Sequence, residues 1–393
     1  MDRDLGAQRR ERELAGLTRE LAGKRITRLQ FLERALALGL SATAIAPIIA
    51  ACGGGDDTST PAAMDTTKPE TLSIWSWAEY LAPAVKKGFE KKTGIKITES
   101  SYDSNEAVIA KLKAGTEGFD IVVPSDSSVH VMSMSGLLEP LDMTYIPNFQ
   151  YVGETFRKPD YDPEDDGKKY SVPYQWGATG IGVRADKVAS EITGWKDMWD
   201  TRYKGDIVML NEEREVVGAG LFVLGYSFNS TSEDEIDQAT EKLIEQKPLV
   251  LAYDSSNQRR NMMNGVALTQ AWQDQALSVL DEIGEDKFKF VLPSERFLIW
   301  IDNLCIPKGA SSPYAAHLFM DYILDPKISA ANTGWIWCMS PVPSCYDYME
   351  GETGTFLKAH YPTEEDLKRS EVGKDLGEFI VHYQEAWKKV MAA

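Results

Sequence analysis

From residue 70 onward, the apolar positions of the chain switch between two periods. "TLSIW" reads as a short strand, and "PAVKKGFEKKTG" spaces its apolar residues as a helix. Pro83 suits that helix's first turn and Gly94 the position just past its end. "IKITESSY" alternates like a strand, and "DSNEAVIAKLKAG" predicts a second helix, with Asp103 as its N-cap and Glu106 three residues later. "FDIVVP" is short and almost wholly apolar, as a strand covered on both faces would be. A second series opens at "GATGIGV" and includes "GDIVMLN" and the helical "EREVVGAGLFVLGY". "FLIWIDNLCIP" adds a strand, and "SPYAAHLFMDYILDP" a helix with Leu318, Phe319, Tyr322 and Ile323 on one stripe. The final "GKDLGEFIVHYQEAWKKVMAA" is an amphipathic helix whose Phe379, Tyr383 and Trp387 should face the core. Strands alternating with helices predict an α/β fold, and no internal repeat is visible.

The first 51 residues break this pattern. A basic stretch, "GKRITRLQFLER", precedes "ALALGLSATAIAPIIAA", an uncharged and largely apolar run laid out as an export signal. It is short and alanine-rich for a stable membrane span. "IIAACGGG" follows and resembles a bacterial lipoprotein box, which implies cleavage before Cys52 and lipid on its thiol and new amino group. "TRLQFL" is similar to a twin-arginine signal, but Leu29 stands at the second arginine position, so both export routes stay open. Residues 52–70, rich in Gly, Thr, Asp and Pro, have the composition of a flexible tether. Of the other cysteines, Cys338 and Cys345 could pair outside the cytoplasm, and Cys305 in "NLCIP" reads as a buried structural thiol.

Composition narrows the function. The 393 residues suffice for two domains, and 60 acidic against 42 basic residues give a net charge of −18. Nucleic acid is excluded as a partner, since phosphate binding needs clustered Lys and Arg. The negative field favours a cationic ligand, although an acidic surface equally serves solubility. His130, His317, His360 and His382 fall in no metal-ligand pattern, and no nucleophile elbow, P-loop or CxxC pair is present. From Asp162 to Gly167 the acids alternate as in a calcium loop, but Pro173 stands where the closing glutamate belongs. No metal or cofactor is expected.

In open α/β sheets, ligands gather beyond the carboxyl ends of the strands. Trp77, Glu79 and Tyr80 leave the first strand there, and Ser125 and Asp126 leave "IVVPSDSS". Asn211, a good N-cap, is followed by Glu212, Glu213 and Glu215. Carboxylates in a helix's first turn are also stabilised by its dipole, so those three carry a purely structural alternative. Trp272 with Asp274 and Trp300 with Asp302 complete the set. Asp302 sits in an otherwise apolar strand and needs a partner, yet no basic residue is near it in sequence. Aromatic faces attract cations and carboxylates pair with ammonium groups, which suits a slender polycation. Aromatic and acidic clefts also bind sugars, so composition leaves both open.

The order of "WSWAEYL", "TGIKI", "SSYDSNEAVIAKLKAG", "FDIVVPS", "SVPYQWGATGIGV", "WKDMWDTRYKGDI", "EREV", "LGY" and "WIDNLCIP" resembles the periplasmic spermidine/putrescine-binding proteins of bacterial polyamine ABC transporters. The resemblance runs from about Leu72 to near the C-terminus. It implies a two-lobe periplasmic-binding-protein-like fold of type II, with hinge strands and a ligand cleft between lobes. One lobe would comprise 71–175 plus 300–340, the other 176–299 plus 341–393. It implies no reaction, only capture of an amine and delivery to ABC permease subunits by a monomer held at the membrane through its lipid. Trp77, Tyr80, Trp272 and Trp300 match the family's box aromatics, Ser125 its serine, and Glu212, Glu215 and Asp302 its carboxylates. Asp274 is added one residue away from a carboxylate found in some members. Ser127, Ser340 and Gly373 stand where the family has two tyrosines and a glutamine, with Trp335 or Trp337 available to fill the space near Ser340. The alternatives are a binding protein for a sugar, quaternary amine or amino acid derivative, and a glycosidase built on Glu212 or Glu215.

Overall fold

Two triads of parallel strands flank a central antiparallel pair in one mixed sheet. The computed structural model describes residues 64–102, 104–162, 167–349 and 351–393, so the export signal, Cys52, most of the tether and Asp103 lie outside the described residues. The first triad is β1 (Thr71–Ser76), β2 (Lys96–Ser101) and β3 (Ile121–Val122), with β1 parallel to both others. The central pair is β5 (Ser171–Arg184) and β10 (Phe297–Pro307), antiparallel from Leu298↔Thr179 to Cys305↔Ser171. The second triad is β6 (Ile207–Met209), β7 (Val250–Tyr253) and β8 (Leu268–Trp272), with β6 parallel to both others. Short strands β4 (Leu138–Glu139) and β11 (Ser370–Val372) pair with β10, and β9 (Phe288–Val291) pairs with β5.

Helices cover both faces of each triad, as parallel strands require. Around the first triad, α1 (Pro83–Thr93) supplies Val85 and Phe89 to a core with Leu72, Ile74, Phe319 and Ile323. The opposite face packs Trp75 and Val122 against Val108 of α2 (Asn105–Lys113) and Val129 and Met132 of α3 (Asp126–Met134). Around the second triad, Ile207 and Met209 meet α4 (Glu213–Val223), α5 (Glu233–Gln246) and Tyr383 of the C-terminal helix α8 (Ile380–Ala392). The other face packs Ala271 against Met262 of α6 (Gln258–Met263) and Leu277 and Leu280 of α7 (Gln273–Ile283). This two-lobe, hinge-strand arrangement is the expected fold class.

The expected ends of α1 hold: Pro83 opens it, and Gly94 closes it at φ 81° with its N–H on Glu90 O. Three local expectations fail. Ser104, not Asp103, caps α2 by accepting from Ala107 N, because the chain turns helical one residue later. Glu212, not Asn211, occupies the N-cap position of α4, while Asn211 is exposed and donates its N–H to Ser255 Oγ. Cys338 and Cys345 are free, buried thiols rather than a pair, as is Cys305. Val342 and Cys345 pack in the core of the first half beside Ile306 and Phe319. The acidic segment before β5 serves the fold, since Asp162 is buried and accepts from Ser171 N and Oγ at 3.0 and 2.7 Å. No metal-binding cluster occurs among the described residues.

Candidate functional site

The strand exits of both triads point to the middle of the sheet, where β5 and β10 cross from one pair of cores to the other. Asp302 lies on β10 at a register break beside Asn303 and is only 6 % exposed. Its partners are two hydroxyls: Tyr80 donates to Oδ2 and Ser125 to Oδ1, each at 2.7 Å. Ser125 sits at the N-cap of α3, yet its side chain makes no capping bond there. The hydroxyl that would offset about 1 kcal/mol at the helix end is spent on Asp302 instead. Asn105 fixes the serine by donating to its Oγ at 3.2 Å and accepting from its N–H at 3.0 Å. Tyr80 is held from behind by Tyr174, which donates to its carbonyl oxygen and meets its ring edge-on at 5.5 Å.

The partner that Asp302 needs is therefore neutral. Burial pushes its carboxyl up to about 6 against the lowering effect of both hydroxyls, and Asp274 adds repulsion. Asp274 stands in the first turn of α7, is itself raised by burial, and has Gln275 Nε2 at 2.7 Å as its side-chain partner. The two aspartates thus come from different parts of the sheet, Asp302 from the central β10 and Asp274 from the helix that follows β8, and are near enough to repel. Glu215, in the first turn of α4, accepts from Trp272 Nε1 at 3.1 Å and Thr179 Oγ1 at 3.0 Å. Burial pushes it up to about 7, although Arg214 nearby lowers it. The Glu212 side chain makes no capping bond, and burial, then repulsion from Glu106, Glu215 and Glu213, pushes it up to about 8. No ion pair to Lys or Arg reaches Asp302, Asp274, Glu212 or Glu215 among the described residues.

Aromatic rings wall this group. Trp300 lies against Gly177 of β5, where any Cβ would overlap its six-membered ring. Trp77 meets Tyr102 edge-on at 4.8 Å. The buried indole nitrogens of both Trp77 and Trp300 lack partners, although Trp77 lies near enough to Asp302 to ease its charge. Unpaired buried donors cost about 1–3 kcal/mol each, and binding sites are where such groups persist.

All eleven ligand residues read from sequence lie at strand exits or on the central pair, and two of them stand apart from the rest. Asp126 is buried with its carboxylate committed: Oδ1 accepts from Ser127 N at 2.6 Å and Oδ2 from Ile301 N at 3.2 Å. Glu79 is exposed in the turn after β1 at φ 55°, joined to none of the other carboxylates. Ser340 is turned inward, 2.6 Å from Ser329 Oγ and bonded to Val342 N. Trp335, offered with Trp337 to fill the space near Ser340, is exposed, and Trp337 packs edge-on against Phe356. Sequence reasoning missed Thr179, Asn105 and the reach of Glu106 to Glu212, for which strand and helix patterns give no signal.

A family model described as bacterial extracellular solute-binding protein matches residues 84–353. The chain belongs to that family. It is 33% identical over 326 residues to a spermidine/putrescine-binding periplasmic protein of Salmonella typhimurium, covering 82% of this chain and 92% of that one. Among solved structures, a Listeria monocytogenes protein titled a putative spermidine/putrescine ABC transporter superposes with TM-score 0.76 at 31% identity, covering 82% of this chain and 99% of the other. The TpPotD lipoprotein of Treponema pallidum gives TM-score 0.73 at 29% identity, covering 81% and 99%. The relatives bind and deliver solutes, and this chain is a binding protein rather than an enzyme. The glycosidase alternative falls with that finding.

Proposed function

We propose that this chain is the lipid-anchored substrate-binding component of an ABC importer and captures a polyamine, spermidine or putrescine, between its lobes. The observation that carries the reading is Asp302, a buried carboxylate held by two hydroxyls with no cation beside it. An ammonium group inserted between Asp302 and Asp274 supplies the missing charge to both. Glu215 and Glu212 receive a second ammonium, and Trp77, Tyr80, Trp272 and Trp300 sandwich the methylene chain. Charge-assisted bonds of this kind contribute roughly 1.5–3 kcal/mol each. The names of the relatives above support the polyamine over a sugar.

The lobes in this reading are 71–175 with 300–349, and 176–299 with 351–393; residues 341–349 move to the first lobe because Val342 and Cys345 pack there. The protein works as a monomer that docks on permease subunits outside the cytoplasm, tethered by lipid on Cys52. Titration calorimetry of the purified chain against spermidine, putrescine, maltose and glycine betaine tests the ligand; heat from the sugar alone refutes it. Fractionation tests the anchor: Cys52→Ser should move the protein from the membrane to the soluble extract, and an unchanged distribution refutes lipid attachment there.

A further inference from the structure

Besides β5 and β10, a third segment crosses between the halves, and it threads two opposite charges. Val372 packs against the core that Phe297 and Ile299 share with Val122 and Val129 of the first lobe, whereas Leu376 and Phe379 pack beside Tyr383 in the second. Asp126 comes from α3 in the first half, Arg214 from α4 in the second. Gly373 lies between them: a Cβ there would stand 3.1 Å from Asp126 Oδ1 and 3.9 Å from Arg214 Nη1. A side chain there would press on Asp126, which would have to give way by a few tenths of an ångström.

Both groups are fixed to their own half, and although burial pushes the Asp126 carboxyl up to about 7, the N–H groups of Ser127 and Ile301 and the charge of Arg214 favour its ionised form. Asp126 is pinned by the N–H groups of Ser127 and Ile301. The guanidinium of Arg214 lies over the Phe228 ring at 4.7 Å and the Tyr383 ring at 5.5 Å. Its Nη2 donates to Asn229 Oδ1 at 3.1 Å and its Nη1 to Lys374 O at 2.8 Å, so it also grips the crossing segment. Asn229 bonds that segment twice more, at Val372 O and Lys374 N. Arg214 Nε has no partner. The attraction between the two groups exists only while the halves are together, because neither can follow the other when they part. Glu215 and Asp375 also face the guanidinium, but both belong to its own half.

We propose that Asp126, Arg214 and the side-chain-free Gly373 form a latch that holds the two halves closed and sets how long any occupant stays, without touching it. Asp126 and Arg214 are positioning residues in this account. This inference does not depend on which ligand is bound. It also gives a use to a carboxylate that the strand-exit pattern mistakes for a ligand group.

The test uses the full chain with Gly373→Ala, Asp126→Asn, Arg214→Gln and the double variant Asp126→Asn/Arg214→Gln. Stopped-flow kinetics with spermidine and with putrescine should show dissociation accelerated about tenfold by each single substitution, by the same factor for both amines, with association unchanged. The double variant should lose little beyond either charge substitution alone. Unequal factors for the two amines would make Asp126 a ligand contact and overturn the latch. Unchanged dissociation with only a lowered melting temperature would overturn it too, since packing alone would then explain the residues. If Asp126→Asn does not fold, Gly373→Ala carries the kinetic test. If neither amine binds the unsubstituted chain, the polyamine reading fails separately, and small-angle scattering decides the latch. Gly373→Ala should then raise the radius of gyration, and superimposable curves would refute it.

Discussion

Between pH 6 and pH 8, amine affinity should rise by about a thousandfold, because the ligand must displace protons from its own site. The groups concerned are Glu212 at about 8, Glu215 at about 7 and Asp302 at about 6. At pH 7 they are about nine-tenths, one-half and one-tenth protonated, so an amine that ionises all three releases about 1.5 protons. Aliphatic ammonium groups titrate near pH 10, so the ligand keeps its charge throughout. The neighbours of each carboxylate point the same way. Glu106, Glu213 and Glu215 repel charge on Glu212, and Asp274 repels it on Asp302. The hydrogen bonds from Trp272 and Thr179, then Arg214, oppose this at Glu215, and Tyr80, Ser125 and Trp77 do so at Asp302. Summed over the two pH units, the three titrations give about three decades in dissociation constant, or roughly 4 kcal/mol. Calorimetry in two buffers of different ionisation enthalpy counts the released protons directly. A count near zero at pH 7, with a dissociation constant flat from pH 6 to 8, would refute the reasoning.

Three further outcomes follow from the same geometry. Asp302→Asn should weaken amine binding by about 2–5 kcal/mol, on the order of 30-fold to several thousandfold, while the fold survives because the amide oxygen still accepts from one of the two hydroxyls and its NH2 donates to the oxygen of the other. Calorimetry beside a melting curve checks both halves of that statement. The ligand-free protein should melt at lower temperature as pH rises from 5 to 8.5. Its buried carboxylates bind protons more tightly folded than unfolded, so their contribution is complete below about pH 4 and lost as pH passes their folded values near 6, 7 and 8. Saturating spermidine should flatten that slope, and a slope of the opposite sign in the free protein would contradict the assignment. Gly177→Ala should push Trp300 off β5 into the cleft and abolish binding, with far-ultraviolet dichroism unchanged; full retention of affinity would show that the ring does not wall the ligand.

Much of this architecture was legible because it is periodic. Phe89 and Val85 sit in the core at the spacing that announces α1, and Leu72 and Ile74 alternate as a strand should. Asp302 was legible for a different reason: a lone charge among apolar neighbours has a cost that something must offset. The errors share one physical origin. A strand-exit rule places Asp126 and Ser125 together but cannot say that one carboxylate is claimed by backbone N–H groups while the neighbouring hydroxyl turns to Asp302. The placing of Glu79 was not legible, because nothing in "WSWAEYL" reveals a left-handed residue facing solvent. Arg214 passed unnoticed because its meaning depends on Gly373, 159 positions downstream. Contacts of that range leave no periodic trace.

Asp302 occupies β10 a few residues past the point where that strand leaves the second pair of cores for the first. A group so near the axis travels least when the lobes swing. An arriving amine would meet Asp302, Tyr80 and Ser125 already in place on an open molecule, whereas Asp274 and Glu215 ride on the far wall and reach it afterwards. Recognition of charge would then precede measurement of length, and an amine too short to span both walls would be admitted, tasted and let go.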